Sequence, residues 1–294
     1  MPRTKANGIE IEYDEHGDPA DPAVLLIMGL SAQMVAWDDE FVSLLAGHGL
    51  RVIRFDNRDI GLSTWFDDAG SPDLVGALAA GRLPEPAYSL ADMAADGAGL
   101  LDALDIDRAH IVGASMGGMI AQTFALDHPE RTVTLTSIFS TTGNPAVGQP
   151  RPGLAEALFM ASPPATREEA IEATVTGSKL IGSPGYPPDE DRLRERAAAA
   201  YDRAWHPDGV LRQTLAIITQ PDRTEALGRL AAPTLVIHGD SDPLVDPSGG
   251  RATAEAVPGA ELWMVPGMGH DIPQVLFEEM AGRIAAHCLA GSRA

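Results

Sequence analysis

The stretch 111-IVGASMGGMIAQ-122 decides how the rest of the chain is read. A β-branched run stops at Gly113, Ser115 follows between Gly113 and Gly117, and a helix-like pattern begins behind it. The order is strand, tight turn, helix, and the turn fits G-x-S-x-G. So tight a turn puts the serine backbone in a strained conformation. The residues two before and two after it crowd together, and glycine at both removes the clash. This geometry projects the serine hydroxyl off the end of a sheet and aims a helix N-terminus at it. Backbone N–H groups there can stabilise a developing oxyanion. The plainer alternative is a glycine-rich turn that only packs closely.

Outward from this turn, similar apolar runs recur: 23-AVLLIMG-29, 51-RVIRFD-56, 109-AHIVGAS-115, 133-VTLTSIFS-140, 233-PTLVIHGD-240 and 261-ELWMVPG-267. Most are continuously apolar, as in strands of a parallel sheet buried on both faces. Helix-like segments lie between them at 38–49, 89–106, 117–130 and 273–290, several with acidic or Ser starts and Gly or Pro ends. The alternation predicts a doubly wound, mostly parallel α/β sheet. The early IEIEY run alternates and predicts an antiparallel edge hairpin. The region 143–226 differs. It opens with the Pro/Gly-rich GNPAVGQPRPG and continues in helix-like pieces from 153, 166 and 189, and no strand appears before PTLVIHGD. Residues 1–140 and 227–294 therefore read as the core, and 141–226 as a helical cap inserted between core strands. The alternative is a second independent domain, but strands resume afterwards.

The 294 residues, 45% hydrophobic, suffice for one large domain with a full core. The net charge of −21 argues against nucleic acid and anionic membrane surfaces as partners. No apolar run approaches the roughly 20 residues of a membrane span, and MPRTKANGIEIEYDEHG lacks the apolar stretch of a secretory signal. A single cysteine, Cys288, makes no internal disulfide and fits a reducing, cytoplasmic setting. There is no metal-binding spacing, no Walker loop and no G-x-G-x-x-G after the first strand, so no cofactor or metal is expected.

A serine nucleophile needs a base and a group to orient that base. The acid is expected in 239-GDSDPLVD-246, where Asp242 is the choice over Asp240 and Asp246, and the base in 265-VPGMGHD-271, as His270. Both loops follow strand ends, where α/β sheets place their sites. His238 lies inside its strand and reads as packed and hydrogen bonded. His110 and His128 read as structural, and His16, His48, His206 and His287 have no motif around them. In 56-DNRDIGLS-63, Asp56 and Arg58 are expected to make structural hydrogen bonds. The oxyanion donors would be the backbone N–H groups of Met116 and, in 28-MGLSAQ-33, of Leu30; the latter assignment leans on the fold.

As an ensemble these segments resemble the α/β-hydrolase superfamily: GASMG at the turn, MGL, DNRDIGLS, HGDSDPLV and GMGH, in the family's order. Within it, LLIMGLSAQMVAW, RFDNRDIGLST and GASMGGMIAQ are similar to bacterial serine esterases of the aclacinomycin methylesterase type. The resemblance implies a helical cap over the sheet and cofactor-free hydrolysis of a small-molecule carboxylic ester. Many relatives carry His-Gly in the oxyanion loop; here it is Met28-Gly29, which leaves the backbone donor intact. The same triad serves perhydrolysis and the hydrolysis of lactones, thioesters or carbon–carbon bonds, and a non-catalytic ligand-binding protein can share the fold. Met160, Tyr201 and Trp205 are candidates to line the substrate pocket from the cap. No motif speaks to oligomeric state.

Overall fold

The computed structural model describes residues 2–159 and 164–292. The chain opens with β1 (Arg3–Ala6), β2 (Ile9–His16) and β3 (Ala23–Ile27), followed by α1 (Asp39–Gly47) and β4 (Arg51–Phe55). Next come α2 (Leu74–Ala79), α3 (Leu90–Ala103), β5 (Ala109–Ala114), α4 (Met116–Asp127) and β6 (Thr132–Ile138). Between β6 and the next strand lie α5 (Leu154–Phe159), α6 (Arg167–Ile181), α7 (Glu190–Arg203), α8 (Pro207–Ile218) and α9 (Thr224–Leu227). The chain ends with β7 (Thr234–Gly239), α10 (Ser248–Ala256), β8 (Glu261–Val265) and α11 (Phe277–Gly291).

The eight strands form one sheet in the order β1-β2-β4-β3-β5-β6-β7-β8. β1–β2 and β2–β4 pair antiparallel, as the alternating IEIEY run predicts. The remaining pairs are parallel. Successive side chains point to opposite faces of a strand, and here both faces are covered. On β3, Leu25 and Ile27 join the core under α3 and α4, while Val24 and Leu26 join the core under α1 and α11. All four are fully buried, and each contributes roughly 1.5–3 kcal/mol by leaving water. This two-sided burial is why the strands read as continuous apolar runs rather than as alternation.

Local chemistry sets the helix starts. Asp38 caps α1 by accepting from the Glu40 N–H. Ser89 and Asp92 form a reciprocal capping box at α3. Thr166 and Asp189 cap α6 and α7. Pro273 does not open the last helix directly; a 3-10 turn over Gln274–Leu276 intervenes before α11. α8 was not legible as a helix because its buried face carries Arg212 and Gln213 beside Leu215 and Ala216, which breaks the apolar periodicity.

The helices after β6 are pinned to the core by arginines. Arg192 and Arg196 of α7 pair with Asp38. Arg203 reaches the fully buried Asp56 at 2.7 Å, and Arg212 of α8 reaches the fully buried Asp59 at 2.8 Å. α9, by contrast, packs on α4 and α10, and Leu227 lies in the core under α3 and α4. A boundary at 226 therefore cuts through a helix that sits with the core.

Candidate active site

Parallel strands carry their C-terminal ends to one edge of the sheet, and β5, β7 and β8 deliver Ser115, Asp242 and His270 there. Ser115 has φ 58 and ψ −121, a left-handed backbone that a non-glycine residue adopts only when its surroundings enforce it. They do so here. The Ser115 N–H donates to the Ile138 carbonyl at 2.9 Å, and the Ser115 carbonyl accepts from Ser140 Oγ at 2.8 Å. A Cβ on Gly113 would stand 2.0 Å from the Gly117 carbonyl oxygen, and one on Gly117 would stand 2.0 Å from the Ile27 carbonyl oxygen. Neither position admits a side chain.

Ser115 Oγ lies 2.8 Å from His270 Nε2, and His270 Nδ1 lies 2.8 Å from Asp242 Oδ2. The other Asp242 oxygen accepts from the Leu244 and Val245 N–H groups, each at 2.9 Å. Burial pushes the Asp242 carboxyl up, but His270 and His238 outweigh it and hold the group well below the usual carboxylate range. An ionised carboxylate only accepts, so the proton of neutral His270 sits on Nδ1. Nε2 is then left to accept from the Ser115 hydroxyl. The Phe139 ring packs 4.7 Å from the His270 ring and shields it from solvent on that side.

The loop after β3 closes over the serine. Gly29 comes so near that a Cβ there would stand 3.0 Å from Ser115 Cβ, and Leu30 follows it directly. Asn57 Nδ2 holds this loop through the Met28 carbonyl at 2.9 Å, and Gln213 Oε1 of α8 accepts from the Ser31 N–H at 3.2 Å. Met116 is the first residue of α4, so its N–H has no acceptor within the helix. The α4 N-terminus thus presents a free donor and a partial positive charge beside Ser115.

The remaining expected residues are placed as follows. Asp56 accepts from the Met34 and Leu62 N–H groups at 2.8 and 2.9 Å, and Arg58 pairs with Asp96 at 2.6 Å. His238 is fully buried, with Nε2 bonded to the Val245 carbonyl at 2.8 Å and 3.5 Å from Asp242. Asp240 accepts from the Gly267 N–H, and Asp246 from the Ser248 N–H. His110 bonds Thr134 Oγ1, and His128 ends α4 against Phe124. The Tyr201 and Trp205 rings pack against each other at a tilt, centroids 5.1 Å apart, with Trp205 41% exposed. Among the described residues, no hydrogen bond or ring contact joins either to Ser115, Asp242 or His270. Met160 lies outside the described residues. Among those residues no cluster of His, Cys, Asp and Glu is placed to hold a metal ion, and no helix is long and apolar enough to cross a membrane.

The sequence pattern of the alpha/beta hydrolase fold family matches residues 22–273. The chain belongs to the α/β-hydrolase family. This α/β hydrolase is 34% identical to rhodomycin D methylesterase DauP of Streptomyces sp. (strain C5), with 94% of each chain covered. It is 33% identical to rhodomycin D methylesterase DnrP of Streptomyces peucetius, again over 94% of each. Its fold is shared by the enol-lactonase of Burkholderia xenovorans LB400, with a TM-score of 0.73 at 22% identity over the full length of both chains. As in other α/β hydrolases, the candidate nucleophile, acid and base follow in the chain order serine, aspartate, histidine. Four contacts of this α/β hydrolase site were missed in the sequence: Ser140 under the serine, Phe139 against the histidine, Ser183 beside the histidine loop and Gln213 on the loop after β3. Nothing in their neighbours marks them, because each is defined by a partner distant in the chain.

Proposed function

We propose that the protein is a serine carboxylesterase that cleaves a small-molecule ester through an acyl-enzyme. The observation that carries this reading is the Ser115–His270–Asp242 line, with both hydrogen bonds at 2.8 Å. Ser115 Oγ attacks the ester carbonyl carbon while His270 Nε2 takes its proton. The Leu30 and Met116 N–H groups hold the oxyanion, worth about 10²–10³ in rate per donor. The intermediate collapses, and His270 returns the proton to the departing alcohol. Water, deprotonated by His270, then attacks the acyl carbon and releases the acid. Asp242 fixes the imidazole tautomer and stabilises the imidazolium. These steps use only groups of the chain and water. The two methylesterase relatives favour a methyl ester, with methanol as the leaving alcohol.

The helices between β6 and α9 act as the cap and shape the acyl or alcohol pocket, with Tyr201 and Trp205 as candidates to line it. The lone buried cysteine fits a cytoplasmic setting.

The test is Ser115→Ala assayed on p-nitrophenyl esters of increasing acyl length and on a bulky aromatic methyl ester. Hydrolysis should fall by a factor on the order of 10³ or more while the fold persists. Retention of most activity would sink the mechanism. Failure of wild-type Ser115 to react with a fluorophosphonate probe would point instead to a ligand-binding role.

A further inference from the structure

The segment that ends α6 runs antiparallel to the loop that carries His270. The His270 N–H donates to the Ile181 carbonyl at 2.7 Å, at the C-terminal end of α6. One residue back, the Gly269 N–H donates to Ser183 Oγ at 2.8 Å. One residue on, the Asp271 carboxylate accepts the hydroxyl of the same serine. Further along, the Gly185 N–H donates to the Gly267 carbonyl at 2.9 Å. The backbones meet so closely that a Cβ on Gly269 would stand 2.4 Å from the Gly182 carbonyl oxygen. Three consecutive residues, 269 to 271, are thus held by Ile181 and Ser183.

Ser183 is 2% exposed, and its hydroxyl works in both directions: it accepts from Gly269 and donates to Asp271. Among the described residues, no hydrogen bond joins it to Ser115 or to the His270 ring. Burial pushes the Asp271 carboxyl up, and the Ser183 hydroxyl opposes that shift. Among the described residues, Asp242 and Asp271 both interact electrostatically with His270.

We infer that Ser183 is a positioning residue which, from the helical insertion, sets the backbone of the candidate base His270 through Gly269 and Asp271. The insertion in this reading is a structural part of the base. This rests on the esterase reading above. Misplacing a reacting group by about 1 Å costs up to about 10²-fold in rate, so a loosened histidine loop is felt in kcat rather than in substrate affinity.

The experiment compares Ser183→Ala, Asp271→Ala and Asp271→Asn with wild type. The readouts are kcat and KM on a p-nitrophenyl ester, the pH profile of kcat/KM, the rate of fluorophosphonate labelling and thermal unfolding. Ser183→Ala should lower kcat and labelling in parallel by roughly 10- to 100-fold. KM should stay nearly constant, and the acidic limb of the pH profile should shift. Asn at 271 keeps an acceptor for the Ser183 hydroxyl, so Asp271→Asn should lose less than Asp271→Ala. A folded Ser183→Ala protein with wild-type kcat and pH profile overturns the inference. If Ser183→Ala does not fold, equal and undiminished activity of the two Asp271 variants overturns it. Wild type active with unchanged variants defeats this inference alone. Wild type inert in both assays defeats the esterase reading and this inference with it.

Discussion

Replacing Asp242 by Asn changes one atom and tests the whole proton path. In the native site Oδ2 accepts from His270 Nδ1 at 2.8 Å, and Oδ1 accepts from two backbone N–H groups at 2.9 Å. The amide of Asn has one acceptor. The two N–H groups of Leu244 and Val245 claim it, so the NH2 group turns toward His270. Nδ1 must then accept, the ring proton moves to Nε2, and Nε2 no longer has a lone pair for the Ser115 hydroxyl. The charge is lost as well. Two unit charges about 4 Å apart attract by about 4 kcal/mol at an effective dielectric of about 20. That is roughly 10³ in rate at 1.36 kcal/mol per tenfold. With the reversed tautomer the fall in kcat should be on the order of 10⁴, with KM little changed. The assay is hydrolysis of p-nitrophenyl acetate at pH 7 by protein whose circular dichroism matches wild type. Because both residues serve one proton path, Ser115→Ala/Asp242→Asn should be no slower than Ser115→Ala. A folded Asp242→Asn protein within about tenfold of wild type would refute the assignment of Asp242 and of the proton path.

Other changes should act on stability or reactivity rather than on chemistry. Gly117→Ala places a methyl 2.0 Å from the Ile27 carbonyl oxygen; overpacking of this kind costs about 1–3 kcal/mol or more, read as a lower urea midpoint together with lost activity. Burial holds His110 down to about 4, while an unfolded histidine titrates near 6.5. Its contribution is therefore full above pH 6.5 and is lost as pH falls toward 4, in total about 3 kcal/mol. Urea unfolding from pH 7 to 4.5 should show this slope, and His110→Gln should flatten it. The buried Cys288 thiol is pushed up to about 12 by desolvation, so it should ignore a disulfide reagent at pH 8 until the protein is unfolded.

The parts of the fold and site that could be read in advance are those whose cause is local. Gly113, Ser115 and Gly117 announce their turn because its crowding is solved within five residues. The parallel sheet shows in β3 because burial on both faces leaves no polar alternation in AVLLI. Asp242 and His270 could be proposed because each sits in a loop just past a strand, and the fold brings them to 2.8 Å. Ser183 was not found, since its function lies in Gly269, 86 residues away. Gln213 was hidden for the same reason: its partners are Ser31 and Arg58, on the far side of the chain. Hydrophobic pattern also failed at α8, where a buried ion pair shares the inner face with Leu215 and Ala216 and breaks the apolar spacing.

The arginines that pin the helical insertion have a consequence for anyone who would exchange it. Asp56 and Asp59 are fully buried carboxylates of the core whose counter-charges, Arg203 and Arg212, belong to the inserted segment. Removing one partner of such a pair leaves a stranded charge at a cost of about 3–5 kcal/mol. A foreign insertion without arginines at these points would thus expose the core to two such penalties at once. A transplant of these helices should carry those arginines along, or replace the matching aspartates in the same step.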